Sequence, residues 1–94
     1  MTQAEMLAVL KINLGIRADA YNEVLTGLLQ SAAEKITAEG VSDLDTSSTI
    51  SDAQLVIDYA EWKWRSRTAP DAMPRSLRWE INNRVFGAKA RAAT

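Results

Sequence analysis

The stretch Ile50 to Arg67 constrains the chain most. It reads ISDAQLVIDYAEWKWRSR, with no Gly or Pro to break it. At about 100° per residue, Ala53, Val56, Ile57, Ala60 and Trp64 fall on one side, and Leu55, Tyr59 and Trp62 on an adjoining one. Gln54, Asp58, Glu61 and Arg65 share the narrow remainder. A helix apolar around most of its circumference belongs in the middle of something. Ser51 and Gln54 have capping-box spacing, with Ile50 and Leu55 placed as a hydrophobic staple. Lys63 falls among the apolar positions, so its stem is expected to pack while its ammonium reaches water.

Other segments read as partners for this helix. Thr2 and Glu5 form a capping box with Met1 and Met6 as its staple, and Leu7, Leu10 and Leu14 recur at helical spacing up to Gly15. Ile16 should fold back as an apolar plug. Asp19 reads as the cap of a second helix carrying the stripe Tyr21, Leu25, Leu28, Ala32 and Ile36. Gly27 inside that stripe suggests close packing against a neighbour. Glu39-Gly40-Val41 has the composition of a Schellman ending. Pro74 suits the first turn of a last helix with the stripe Leu77, Ile81, Val85 and Ala88. The expected fold is all-α, a small four-helix bundle-like domain with helices near Gln3–Leu14, Asp19–Glu39, Asp52–Arg67 and Pro74–Ala88. The third is long and central, and Trp64, Ile57, Ala60, Leu28 and Leu25 are expected to be buried. Residues 1–94 form one domain, with 41–49 a loop and 89–94 a flexible basic tail.

Residues 41–49 are polar and lack periodicity. Only Val41 and Leu44 could anchor them, too little to offset an ordering cost of roughly 1–2 kcal/mol per residue, so the loop is expected to be mobile in the free monomer. Asp43-x-Asp45-x-Ser47 matches the start of a calcium-binding loop. The sixth position is Ser48 where Gly is needed and the twelfth is Gln54 where Glu is needed, so no metal is expected.

Composition narrows the function. The 94 residues include no Cys and no His, which removes thiolate chemistry, the commonest general base and the commonest metal ligands. No apolar run approaches the roughly 20 residues that span a bilayer, and the first residues do not form a secretory signal. A soluble intracellular product is expected. No nucleophile triad, phosphate loop or zinc spacing is present. Asp58, Glu61 and Arg65 read as a solvated ion-pair face, not an acid/base pair. The chain is expected not to be an enzyme and to use no cofactor; a small enzyme subunit would need its activity from a partner.

That leaves binding. Residues 1–60 hold three cations against nine carboxylates, and residues 61–94 hold eight cations against three. Such asymmetry points to an acidic partner for the basic end, or to the subunit's own acidic end. Trp62-Lys-Trp64-Arg-Ser-Arg67 mixes cations and aromatics, as nucleic-acid contacts do. Trp62 and Trp64 point about 160° apart on a helix, so they do not make one stacking platform and both read as core. Trp79 and Phe86 differ. They form a second apolar stripe on the last helix, well away from the first, and a spare stripe of that kind marks an interface. Arg75, Arg78, Trp79, Arg84, Phe86, Lys89 and Arg91 are the candidate interface residues.

The order of parts resembles the head–tail connector proteins of long-tailed bacteriophages, also called head-completion or adaptor proteins. The resemblance covers most of the chain. It rests on Leu14-Gly-Ile16 leading into Asn22-Glu23, then Leu28-Leu29 and Ala32-Ala33. It rests more on Val56-Ile57-Asp58-Tyr59-Ala60-Glu61-Trp62-Lys63-Trp64-Arg65, Arg67, and Met73-Pro74-Arg75-Ser76-Leu77-Arg78. The chain departs from the family in having Arg17-Ala-Asp19-Ala-Tyr21 where members often carry a denser acidic cluster. The resemblance implies a helical virion protein of the neck, made in the host bacterial cytoplasm. It would assemble as a homo-oligomeric ring, by resemblance dodecameric, beneath the portal protein. Such a ring extends the DNA channel, passes packaged DNA without sequence-specific binding, and receives the next tail or stopper component, with no membrane involved. On this view the last helix packs on the acidic first half of a neighbouring subunit or on an acidic portal surface. The alternative is a small DNA-binding or regulatory helical domain using the basic C-terminal third.

Overall fold

The computed structural model describes residues 1–93, and the described chain is all-helical. Helix α1 spans Gln3–Leu14, α2 Asn22–Ala38, α3 Ile50–Arg65 and α4 Arg75–Ala92, with a single 3-10 turn over Asp19–Tyr21 before α2. Among these residues no helix is long and apolar enough to cross a membrane. The third helix packs against α1, α2 and α4, whereas α4 leans chiefly on α3. The third helix is therefore central. It is not the long one: its 16 residues are fewer than the 17 of α2 and the 18 of α4.

Burial follows the apolar stripes over most of the chain. Met6 and Leu10 of α1, and Leu25, Leu29, Ala32 and Ile36 of α2, close on Ala53, Leu55, Val56, Ile57, Tyr59 and Ala60 of α3. Leu77, Ile81 and Ala88 turn α4 inward. Removing large apolar area from water at about 25 cal/mol per Å² is the main force holding these helices together.

Three helix ends form as their sequences dictate. Thr2 Oγ1 accepts the Glu5 N–H while the Glu5 carboxylate accepts the Thr2 N–H. After α1, Gly15 takes φ +70° and the Ile16 N–H reaches back to the Lys11 carbonyl at 2.9 Å. Ile16 then lies partly buried against the core. After α2, Gly40 takes φ +128°, Gly40 N–H bonds the Thr37 carbonyl and Val41 N–H the Ile36 carbonyl. These are the paired bonds of a Schellman ending. A Cβ on Gly40 would meet Val85 Cγ1 at 3.0 Å, so the same glycine lets α4 approach the end of α2.

Other expectations are corrected. The Ser51–Gln54 capping box does not form. Helix α3 begins two residues earlier, at Ile50, and the Gln54 amide reaches Asp58 instead. Ile50 is exposed, so it staples nothing. Asp19 does not cap α2; it sits in the 3-10 turn and binds Lys11 Nζ at 3.1 Å. Gly27 faces open space, so close packing does not explain it, and nothing else in the structure does. Helix α4 runs through Gly87 to Ala92, so most of the expected tail is helical, and Thr94 lies outside the described residues.

Trp64 and Leu28 are only partly buried. Full burial on α3 stops at Ala60, so the last turn projects beyond the core. There Trp64 stands edge-on to Tyr21, with the Arg67 guanidinium 3.7 Å over its ring. Trp62 stands edge-on to Tyr59, and its indole N–H donates to the Asp71 carbonyl at 3.2 Å. Both tryptophans therefore cover the edge of the core and leave part of each ring in water.

The two glycines give opposite expectations. Gly40→Ala should destabilise the fold by about 1–3 kcal/mol, from the positive φ and the Val85 contact together. Gly27→Ala, inside an exposed helix, should stabilise it by about 1 kcal/mol. Urea unfolding midpoints of the two variants check both signs.

Candidate protein-docking face

The helical phase of α4 sets its two faces. Leu77, Ile81 and Ala88 are buried along one side of α4, which leaves Trp79 and Phe86 on the opposite side. They are 67% and 75% exposed, among the barest large apolar residues in the chain. Arg75 and Lys89 are exposed as well, one turn before Trp79 and one turn after Phe86. Beside Trp79 an open furrow of about 410 Å³ runs between α3 and α4, bordered by Gln54, Leu55, Asp58, Glu80 and Asn83. It continues past Asp58 and Glu80 toward Trp62, Asp71 and Leu77.

The other predicted interface cations are engaged within the chain, Arg84 at the inner border of the same furrow. Arg84 turns inward, where its Nε donates to Asp52 Oδ1 at 2.7 Å and Nη2 to Asp52 Oδ2 at 3.0 Å. Nη2 also donates to the Asp43 carbonyl. Nη1 lies 2.9 Å from Asp43 Oδ1 without hydrogen-bond alignment. Arg91 Nε binds the other Asp43 oxygen at 2.6 Å. Arg78 binds Glu39 at 2.5 Å, beyond the end of α2. Three of the five expected interface arginine and lysine side chains thus pair with the chain's own acidic half. The geometric reason is that Arg84 and Arg91, seven apart, share the side of α4 facing the 41–49 loop, while Arg78 flanks Glu39.

Asp52 is the residue that sequence reasoning missed. Its side chain is almost fully buried in the first turn of α3, where a carboxylate also suits the positive end of the helix dipole. A signal was present: on the helical projection Asp52 lies within about 40° of Val56 and about 20° of Tyr59, on the apolar side. A buried carboxylate needs a partner, and Arg84 supplies a two-point one. The Asp45 N–H adds a bond to Asp52 Oδ2 at 3.0 Å.

That bond brings in the loop. In the structure residues 41–49 are held at several points: Val41 is buried, Leu44 packs partly against the core, and polar anchors add to them. Asp45 accepts from the N–H groups of Ser47 and Ser48 and from the Ser47 hydroxyl. The N-terminal ammonium donates to the Thr46 and Ser47 carbonyls at 2.8 and 3.1 Å. Asp43 and Asp45 are each committed to separate partners, and among the described residues no carboxylate cluster suited to a metal forms.

Electrostatics follow the geometry. The Arg84 hydrogen bonds hold the Asp52 carboxyl below the usual aspartate range, against the opposing effect of burial. Arg91, then Arg84, do the same for Asp43, and the Ser47 hydroxyl for Asp45. Arg84 is raised in turn, with Asp52 the main cause.

Of the eight cations in residues 61–94, Arg65, Arg78, Arg84 and Arg91 pair with carboxylates of the same chain. Lys63 and Arg67 lie on tryptophan rings. No protein-family model, curated protein or solved structure matches the chain.

Asp52→Ala should cost about 3 kcal/mol, since it strands the half-buried Arg84 and frees the loop. Calorimetry would show this as a lowered melting temperature. The pH dependence has a fixed sign. A carboxylate whose folded pKa is depressed contributes stability above its unfolded pKa, about 3.9, and loses it as pH falls through the lower folded value. Wild-type stability should therefore drop below about pH 4, and the drop should be shallower in Asp52→Ala. Equal slopes would show that the pair does not govern acid unfolding.

Proposed function

We propose that this chain is a non-enzymatic structural adaptor of the phage head–tail connector type. In this reading it is a virion neck protein that forms a homo-oligomeric ring below the portal, extends the DNA channel and receives the next tail or stopper component. The observation that carries the reading is the pair Trp79 and Phe86, standing in water on a helix already held in place by its other face. Aromatic side chains flanked by arginine are the types that dominate protein interfaces. The sequence resemblance supplies the kind of assembly; the bare face supplies a surface for it. The helical arrangement, with one helix packed against the other three, suits the bundle-like body of such an adaptor.

Internal pairing changes how the contact would work. Arg78, Arg84 and Arg91 are already occupied, so attraction between the basic third and an acidic neighbour cannot be its main force. Apolar burial of Trp79 and Phe86 takes that role, with Arg75 and Lys89 at the rim. The same pairing weighs against the DNA-binding alternative. Among the described residues Arg75 and Lys89 have neither an ion-pair partner nor a ring contact, and two cations are too few to track a phosphate backbone.

The test is a mass measurement of the purified protein, alone and mixed with a candidate portal ring. Wild type should assemble or be captured. Trp79→Ala should keep the monomer's stability within about 0.5 kcal/mol, as surface substitutions do, and lose the assembly. A cost of about 2 kcal/mol or more in binding is expected at a hot spot. Assembly equal to wild type, or a variant that melts as a monomer, would remove this face from the proposal.

A further inference from the structure

The outward face of α4 carries more than two aromatics. Ser76, Trp79, Asn83, Phe86 and Ala90 are all exposed and follow one another at spacings of three, four, three and four. These are the a and d spacings of a two-stranded coiled coil over two heptads, with aromatic residues at both d positions. The buried residues Leu77, Ile81 and Ala88 lie on the other side, so the seam is not the one used against α3. Ser76, Asn83 and Ala90 take the a positions and Trp79 and Phe86 the d positions. Small Ser76 and Ala90 leave room beside the large rings. An Asn among the a positions is the feature that fixes register and a two-stranded state, by bonding its own copy across the seam.

The flanks of the seam differ in charge. Arg75 precedes Ser76 on one edge, with Asn82 and Lys89 along the same edge. Glu80 follows Trp79 on the other edge, and Asp58 borders the furrow beyond it. Among the described residues neither Arg75 nor Glu80 has an ion-pair partner. They are five apart, about 140° around the helix, so they do not face each other within one chain. Between two parallel helices, residues five apart on these edges do meet. In an antiparallel pair each edge meets its own copy, which sets Arg75 and Lys89 of one helix against those of the other. The charges therefore select the parallel arrangement.

We infer that in the free protein two copies join through this face, with their α4 helices parallel and Arg75 of each beside Glu80 of the other. The contact covers Trp79 and Phe86. The dimer rests on α4 alone; its consequence rests on the connector reading, in which the covered face opens only when a ring neighbour or the portal displaces the second copy. Free subunits are then stored with their docking face closed.

Sedimentation of the full chain tests this. Apparent mass should rise from 10.4 kDa toward twice that with concentration. Arg75→Glu and Glu80→Arg should each weaken the dimer about ten-fold, since two symmetry-related pairs turn repulsive at once. The double variant should recover wild-type association. Because the chain has no cysteine, Ser76→Cys gives a clean register probe. On oxidation it should cross-link to itself, as only the parallel arrangement brings the two positions together. A mass that stays at the monomer value, a double variant no better than the singles, or a Ser76→Cys that cross-links only when mixed with Ala90→Cys would each overturn the inference. Portal capture by a protein that never dimerises would overturn the stored dimer and leave the proposed function standing. A dimer with neither ring nor portal capture would do the reverse.

Discussion

The Asp52–Arg84 pair is the contact on which the arrangement of the second half depends. Helix α4 has only three buried side chains, a thin apolar hold for 18 residues. A buried carboxylate in the first turn of α3 fixes where α4 must lie, because one guanidinium has to reach both of its oxygens. The same carboxylate takes the Asp45 N–H, and Arg84 also holds Asp43. One cluster thus sets the position of a helix and the path of a loop. A buried pair of this kind is weak evidence for net stability, because desolvation offsets much of the attraction. Its effect is on geometry: any other placement of α4 leaves a charge stranded.

This has a consequence for the surface. Once Arg84 and Arg91 are committed to the loop side, the helical phase of α4 is set, and Trp79 and Phe86 can only point outward. The exposed face is therefore a product of the buried pair as much as of its own residues. Part of the charge division between the chain's halves is used in building the fold: Arg78, Arg84 and Arg91 of α4 pair with Glu39, Asp43 and Asp52. The outward face of α4 is aromatic in its centre and differently charged along its two edges, and the proposed contacts draw on that face.

The ends of α3 show why local rules reach only so far. The Ser51–Gln54 spacing satisfies the capping-box pattern, but the helix starts at Ile50, which places Asp52 inside the first turn, against Arg84 and the loop. At the other end, Trp64 has the right phase for the core but lies a turn beyond full cover. Periodicity reports direction around a helix. It does not report how far along the axis neighbouring helices extend.

The sequence alone determined the all-helical class, the bounds of α1, the glycine-ended turns at Gly15 and Gly40, most of the core stripes and the second apolar stripe of Trp79 and Phe86. These rest on interactions between residues a few positions apart, where spacing fixes geometry. Only the tertiary structure decided which charges meet. Asp52 and Arg84 are 32 positions apart, Asp43 and Arg91 48. Nothing local distinguishes a cation that serves a partner from one that serves its own chain. That choice follows from how the helices stack, which brings Asp43 and Asp52 together at one edge of α4 and leaves its opposite edge to solvent.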